Sequence, residues 1–183
     1  ITDSAVGAGD KGNKFEFTDN DAKDYKWSNK LVIDTVRAKI ERIESSFIND
    51  DLSLGGCCET VDGEKYYYCN KGKLINLFVV FSESIKVSGE ATLVLSSGST
   101  ATYSSGSGSK KLSFSYTVGA DDTTEGQNLE VEGINGKIID YADNETNEFP
   151  EGVGTIKETE DSSKDKNLII DTTAPKAPTI SIP

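Results

Sequence analysis

Three groups of residues in this chain have types and spacings that could do chemistry. The first is a set of oxygen donors, Asp34, Glu83, Asp140, Asp143, Asn144 and Asp171, drawn from four separate segments. The second is a cysteine cluster in "GGCCETVDGEKYYYCNKG", where Cys57 and Cys58 are adjacent and Cys69 follows further on. The third lies in the same stretch, the run Tyr66, Tyr67 and Tyr68. There is no histidine anywhere in the sequence. The commonest general base and the commonest zinc ligand are therefore missing, and what the donors offer is hard oxygen ligation of the kind Ca²⁺ takes. Glu83 and Asp140 could in principle form the acid pair of a glycosidase. However, the single tryptophan, Trp27, leaves no aromatic platform for a sugar, and the reading is non-catalytic. The cysteines lack the paired C-x-x-C spacing of a zinc ribbon. In an oxidising compartment they predict a disulfide from Cys69 to either Cys57 or Cys58, closing a small loop and contributing about 2 to 3 kcal/mol. Exposed tyrosines give large contact area at small entropic cost, so the Tyr66 to Tyr68 run is a candidate partner contact. The competing reading is that alternate tyrosines pack the loop onto the core.

The elements that position these groups are strands. In "LSFSYTV", Leu112, Phe114, Tyr116 and Val118 share one face while Ser113, Ser115 and Thr117 share the other, the period of a half-buried strand. "KLINLFVVF" and "NLEVEGI" alternate in the same way. Adding 39–47, 91–96, 100–105 and 167–172 predicts seven strands separated by Gly, Ser, Asn and Asp clusters. "DTVRAKIERIESSF" has helix-like spacing over a few residues but opens the domain and is read as strand. The expected fold is all-β, a seven-stranded antiparallel sandwich of immunoglobulin or fibronectin type III character. If its strands alternate in direction, Asp34, Glu83, Asp140, Asp143 and Asn144 fall at the pole where the chain enters. Asp171, with Asp121 and Asp122 as neighbours, then falls at the pole where it leaves. Convergence of oxygen donors at one pole favours a Ca²⁺ site; the competing reading is that Asp residues in turns cap backbone amides. Nineteen Lys and Arg against 31 Asp and Glu give a net charge of −12, which disfavours nucleic acid and anionic lipid. No apolar run is long enough for membrane insertion.

Organisation follows from an internal repeat. Residues 1 to 36 align without a gap on residues 138 to 173, with Asp3 on Asp140, Leu31 on Leu168 and Ile33-Asp34-Thr35 on Ile170-Asp171-Thr172. Self-similarity at a fixed offset is the signature of repeat architecture. The chain therefore reads as the tail of a preceding repeat (1–36), a complete repeat (37–173) and a linker into a following repeat (174–183). Within the complete unit, 48–73 reads as a Cys-bearing insertion and 144–166 as a long acidic, solvated loop.

The phrases "VVFSESIKVSG", "ATLVLSSGSTATYSSGSGSKKLSFSYTV", "GINGKIIDYADN" and "NLIIDTTAPKAP", taken in order, resemble the extracellular bacterial Ig-like repeats of large surface adhesins, whose units run from an FSE strand end to a DTTAP linker. The likeness spans about residues 74 to 178 and the partial copy at 1 to 36. The chain departs from that pattern at the cysteine segment, in the loop after Asn144 and at Arg37-Ala38, where Ala-Pro is usual. The resemblance implies an extracellular, cell-surface spacer or assembly module of a fibre, adhesin or surface layer, with calcium at the joints and neighbouring repeats as partners. A homo-polymer formed by strand exchange through residues 1 to 36 is a further expectation. The alternative function is a ligand-binding adhesin module whose Cys and Tyr loop touches a receptor or glycan.

Overall fold

A computed structural model describes residues 33–47, 58–61, 63–146, 148–157 and 164–174. Most of the partial copy, Cys57 and the linker beyond Ala174 lie outside the described residues. Among those residues the fold is all-β, without a helix. Its strands are β1 (Ile40–Phe47), β2 (Cys58–Val61), β3 (Glu64–Cys69), β4 (Leu74–Leu95), β5 (Thr100–Ser105), β6 (Ser109–Thr117), β7 (Val131–Asp140), β8 (Ile156–Lys157) and β9 (Asn167–Ile170).

The expected seven antiparallel strands are corrected to nine, among the described residues, in a mixed arrangement. β8 runs parallel to β1 and β3 runs parallel to β9. A six-stranded sheet holds β1, β4, β5, β6, β7 and β8, and a three-stranded sheet holds β2, β3 and β9. Two of the expected strands are halves of the 22-residue β4. Its first half lies between β1 and β6; its second pairs with β7 and β5. The register shifts between Val80 and Ile85, where the strand changes neighbours, so Glu83 stands within a continuous strand.

Alternation explains most of the core. Ile75, Leu77, Val79 and Phe81 of β4 and Leu112 and Phe114 of β6 are fully buried, and one hydrophobic cluster joins them to Cys69, Leu168 and Ile170 of the smaller sheet. In β1 the alternation breaks, because the pairing skips a residue between Ile40, opposite Phe81, and Arg42, opposite Val80. This bulge places both Ile40 and Ile43 in the core, at a spacing of three that imitates a helix.

Glu44, on the other face of β1, is 4% exposed. It accepts from Arg42 Nε at 2.7 Å and from Lys111 Nζ at 2.6 Å, and that ammonium also sits 4.3 Å from the Phe78 ring centroid. Burial pushes the Glu44 carboxyl up, but the hydrogen bonds and charges of Lys111 and Arg42 outweigh it and hold the group below its ordinary value of 4.5. A depressed carboxyl stabilises the fold above its unfolded pKa, and that contribution is lost as pH falls through the folded value. Both cations are partly exposed, 37% for Arg42 and 42% for Lys111, so solvent screens the pair. Glu44→Gln is expected to cost roughly 1 to 2 kcal/mol at neutral pH. The gap to wild type should close as the pH falls from the ordinary carboxyl value of 4.5 through the lower folded value, as read from urea melts across pH. A gap that persists unchanged into acid would rule the ion pair out as its cause.

Candidate functional site

The chain enters the described fold at Ile33 and meets the loop that follows β7. β7 carries Asp140 opposite Ile85, immediately past the bend of β4, so Asp34, Glu83, Asp140, Asp143 and Asn144 share one end of the molecule. Asp140 is fully buried. Its Oδ1 accepts the backbone N–H of Ala142 at 2.7 Å and of Asn144 at 2.9 Å, and its Oδ2 accepts the Asn144 side-chain Nδ2 at 2.8 Å. The turn is completed by the Asp140 carbonyl accepting from Asp143 N, with Asp143 left-handed at φ 63. Asp143 is exposed.

The same Asn144 carboxamide donates to the Asp34 carbonyl at 3.2 Å. Two residues on, Thr146 is 4% exposed and donates its hydroxyl to the Ala38 carbonyl at 2.9 Å. Glu148 accepts from Arg37 Nη1 at 3.2 Å on the surface. Residues 144, 146 and 148 therefore each hold one point of the entering segment 34–38. The Asp34 carboxylate turns back on its own chain and accepts from Val36 N at 3.1 Å.

At the opposite end, where β4 begins and β9 stops, the leaving segment is held comparably. Asp171 N donates to the Cys69 carbonyl at 3.0 Å, Thr172 donates its hydroxyl to the Asp122 carbonyl at 2.9 Å, and Asp171 Oδ1 accepts from Thr173 N at 2.9 Å. That last bond repeats the Asp34–Val36 turn at the equivalent position. Asp122 belongs to the fold: its Oδ2 accepts from the Tyr116 hydroxyl and from Gly119 N, each at 2.7 Å. Burial first, with Asp122 beside it, raises the Tyr116 pKa well above the usual phenol range, so the hydroxyl stays protonated and donates. Asp121 is exposed at the same end.

These partners decide what the oxygen donors can do. A Ca²⁺ ion needs oxygen lone pairs pointing inward, yet both Asp140 oxygens are taken by N–H donors and Asn144 offers its amide nitrogen to Asp140 and Asp34 alike. Among the described residues no group of three or more His, Cys, Asp or Glu side chains is placed to hold a metal ion. As arranged, Asp140 and Asn144 do not turn free oxygens toward a calcium ion. Asp140 is fully buried and accepts hydrogen bonds at both oxygens, so its carboxylate is not presented at the surface beside Glu83. A cleft of about 470 Å³ at the leaving end is lined by Ser96, Thr124, Gln127, Asn128 and Glu130. Within it Ser96 Oγ accepts from Glu130 N, Thr124 donates to the Gln127 carbonyl and Asn128 Nδ2 donates to Asn167 Oδ1.

The cysteine segment supplies β2 and β3 of the smaller sheet. Cys69 is fully buried in the core. Cys57 lies outside the described residues, and Cys58 is placed by its backbone, opposite Tyr67. Tyr67 packs against the core and under the Lys166 ammonium, 4.8 Å from its ring centroid. Lys166 is itself 6% exposed and donates to the Ser45 carbonyl at 3.4 Å. Tyr66 and Tyr68 stack on the other face, with ring centroids 6.4 Å apart, and Tyr68 is 38% exposed. The run thus divides into one packing residue and two outward ones. Residues 144–166, expected to be a solvated excursion, instead contain the buried Thr146 and Ile156, strand β8, and Phe149 and Val153 packed on the core. No family model, curated protein or solved structure matches the chain.

Proposed function

We propose that this protein is a structural spacer or assembly module of an extracellular fibre, adhesin or surface layer, built as an Ig-like sandwich whose layers are the two sheets. The observation that carries the reading is the placement of the entering and leaving segments. Asp34 is tied to the loop after β7, Asp171 to the far end beside Cys69 and Asp122, and both make the same aspartate turn. A module entered at one end and left at the other extends a tandem array instead of folding it back. Its work is reach and joint geometry, without catalysis. Among the described residues no helix is long and apolar enough to cross a membrane. The donor set does not support calcium at the entry joint, so stiffness there rests on hydrogen bonds and packing. Pairing of Cys69 with Cys57 or Cys58 belongs to the extracellular reading. Exchange of a strand between copies is a further mode of assembly, supported by Ile33 being 42% exposed while its equivalent, Ile170, is fully buried.

The outward Tyr66–Tyr68 stack favours the second reading, a ligand-binding adhesin module. A binding screen against glycans and matrix proteins separates the two. The spacer reading expects no saturable binding, whereas saturable binding that Tyr68→Ala abolishes would replace it with the adhesin reading.

A further inference from the structure

We infer that the loop 140–148 is a metal-independent clasp for the segment joining this repeat to the one before it, and that the Asn144 carboxamide occupies the role a bridging cation would have. The inference rests on the spacer reading. One carboxamide nitrogen donates at once to the buried Asp140 carboxylate at 2.8 Å and to the Asp34 carbonyl at 3.2 Å, using its two hydrogens in two directions. Asp140 is held in turn by Ala142 N and Asn144 N, so the carboxylate fixes the carboxamide and the carboxamide fixes the linker. Thr146 adds a second buried grip on the Ala38 carbonyl. Hydrogen bonds to a charged acceptor are stronger than neutral ones, and burial removes the competing water.

The partner is another copy of the same loop. Ile170-Asp171-Thr172 repeats Ile33-Asp34-Thr35, and Asp171 closes onto Thr173 N as Asp34 closes onto Val36 N. The leaving segment therefore presents the backbone shape that the clasp grips, for a following repeat to take up. Recognition is of backbone carbonyls, which explains how Arg37-Ala38 can stand in the first joint where the second has Ala174-Pro175.

The test is amide hydrogen exchange on the whole chain, reading residues 33–39 against β4 and β6 as internal reference. In Asn144→Ala, exchange of 33–39 should rise about fivefold or more, the loss of one net hydrogen bond, while β4 and β6 exchange as in wild type. Asn144→Asp keeps the volume, removes both side-chain donors and sets a second carboxylate against Asp140. It should loosen 33–39 at least as much in chelator. Wild-type exchange should be the same in millimolar Ca²⁺ and in chelator. Full protection of 33–39 in either variant, or loosening of the wild type by chelator alone, overturns the clasp. The spacer reading would survive that result, because ligand binding decides it.

Discussion

Gly136→Ala should lower the stability of the fold by roughly 2 to 6 kcal/mol, about twice the cost of the same change at Gly89. Gly136 lies in β7 at φ +112, where a Cβ would stand 2.6 Å from the Glu90 carbonyl oxygen and 2.8 Å from the Ala91 Cα. Those are backbone atoms of the facing strand, and they cannot swing aside as a side-chain tip can. The approach is close because β4 and β7 lose register between Ser88 and Thr92, crowding the segment 89–91 of β4 over one glycine. Left-handed backbone in a residue with a side chain costs roughly 1 to 3 kcal/mol, and forced overpacking adds about 1 to 3 more. Gly89, at φ +85 with nothing within 4 Å of its Cβ, carries the first cost without the second. Paired denaturant melts of Gly136→Ala and Gly89→Ala therefore isolate the steric part. Equal losses in the two variants would mean that β7 does not press on β4 as described.

The parts of this fold that are legible in the sequence are the ones whose information is local. β5 falls on the expected 100–105, and β6 and β9 follow the alternation of Leu112, Phe114 and Tyr116 and of Leu168 and Ile170. Asp34, Asp140 and Asn144 do lie together, joined by the hydrogen bonds of the Asn144 carboxamide, although the strands do not simply alternate in direction. Three things were not local. The spacing of three between Ile40 and Ile43 is set by a bulge opposite β4 and has no signature of its own. Strand β8, two residues long, exists because β1 offers it an edge in parallel. The third was the chemistry of Asn144. Its type reads equally as an oxygen ligand or a nitrogen donor, and the fully buried Asp140 beside it, an acceptor, selects the nitrogen. Glu44 carries no signal of its own for a related reason: Arg42 is a near neighbour on β1, but Lys111 comes from β6, far away in the chain.

Replacing residues 58–69 by a short flexible linker should abolish cooperative folding, although the stretch reads in the sequence as an insertion that a sandwich could lose. An aromatic run without alternation, bounded by glycines and cysteines, carries no strand period, and its partner in the sheet lies about a hundred residues further on. In the fold, β3 lines β9 residue by residue from Tyr66–Asn167 to Cys69–Ile170. Removing it strips that edge of β9 and takes the buried Cys69 and the packed Tyr67 out of the core. It also removes the ring beneath the buried Lys166 ammonium and the carbonyl that Asp171 N uses at the leaving end. Full burial of an apolar side chain contributes roughly 1.5 to 3 kcal/mol, so losing the buried Cys69 and the partly buried Tyr67 and partly exposing Leu168 and Ile170 amounts to about 3 to 5 kcal/mol, against a total of about 5 to 15 for a domain. The deletion variant should give a broad, low-amplitude melt and rapid amide exchange throughout β9. A sharp unfolding transition near the wild-type temperature would show that the segment decorates the module and that β9 is held by its other neighbour, residues 123–129, alone.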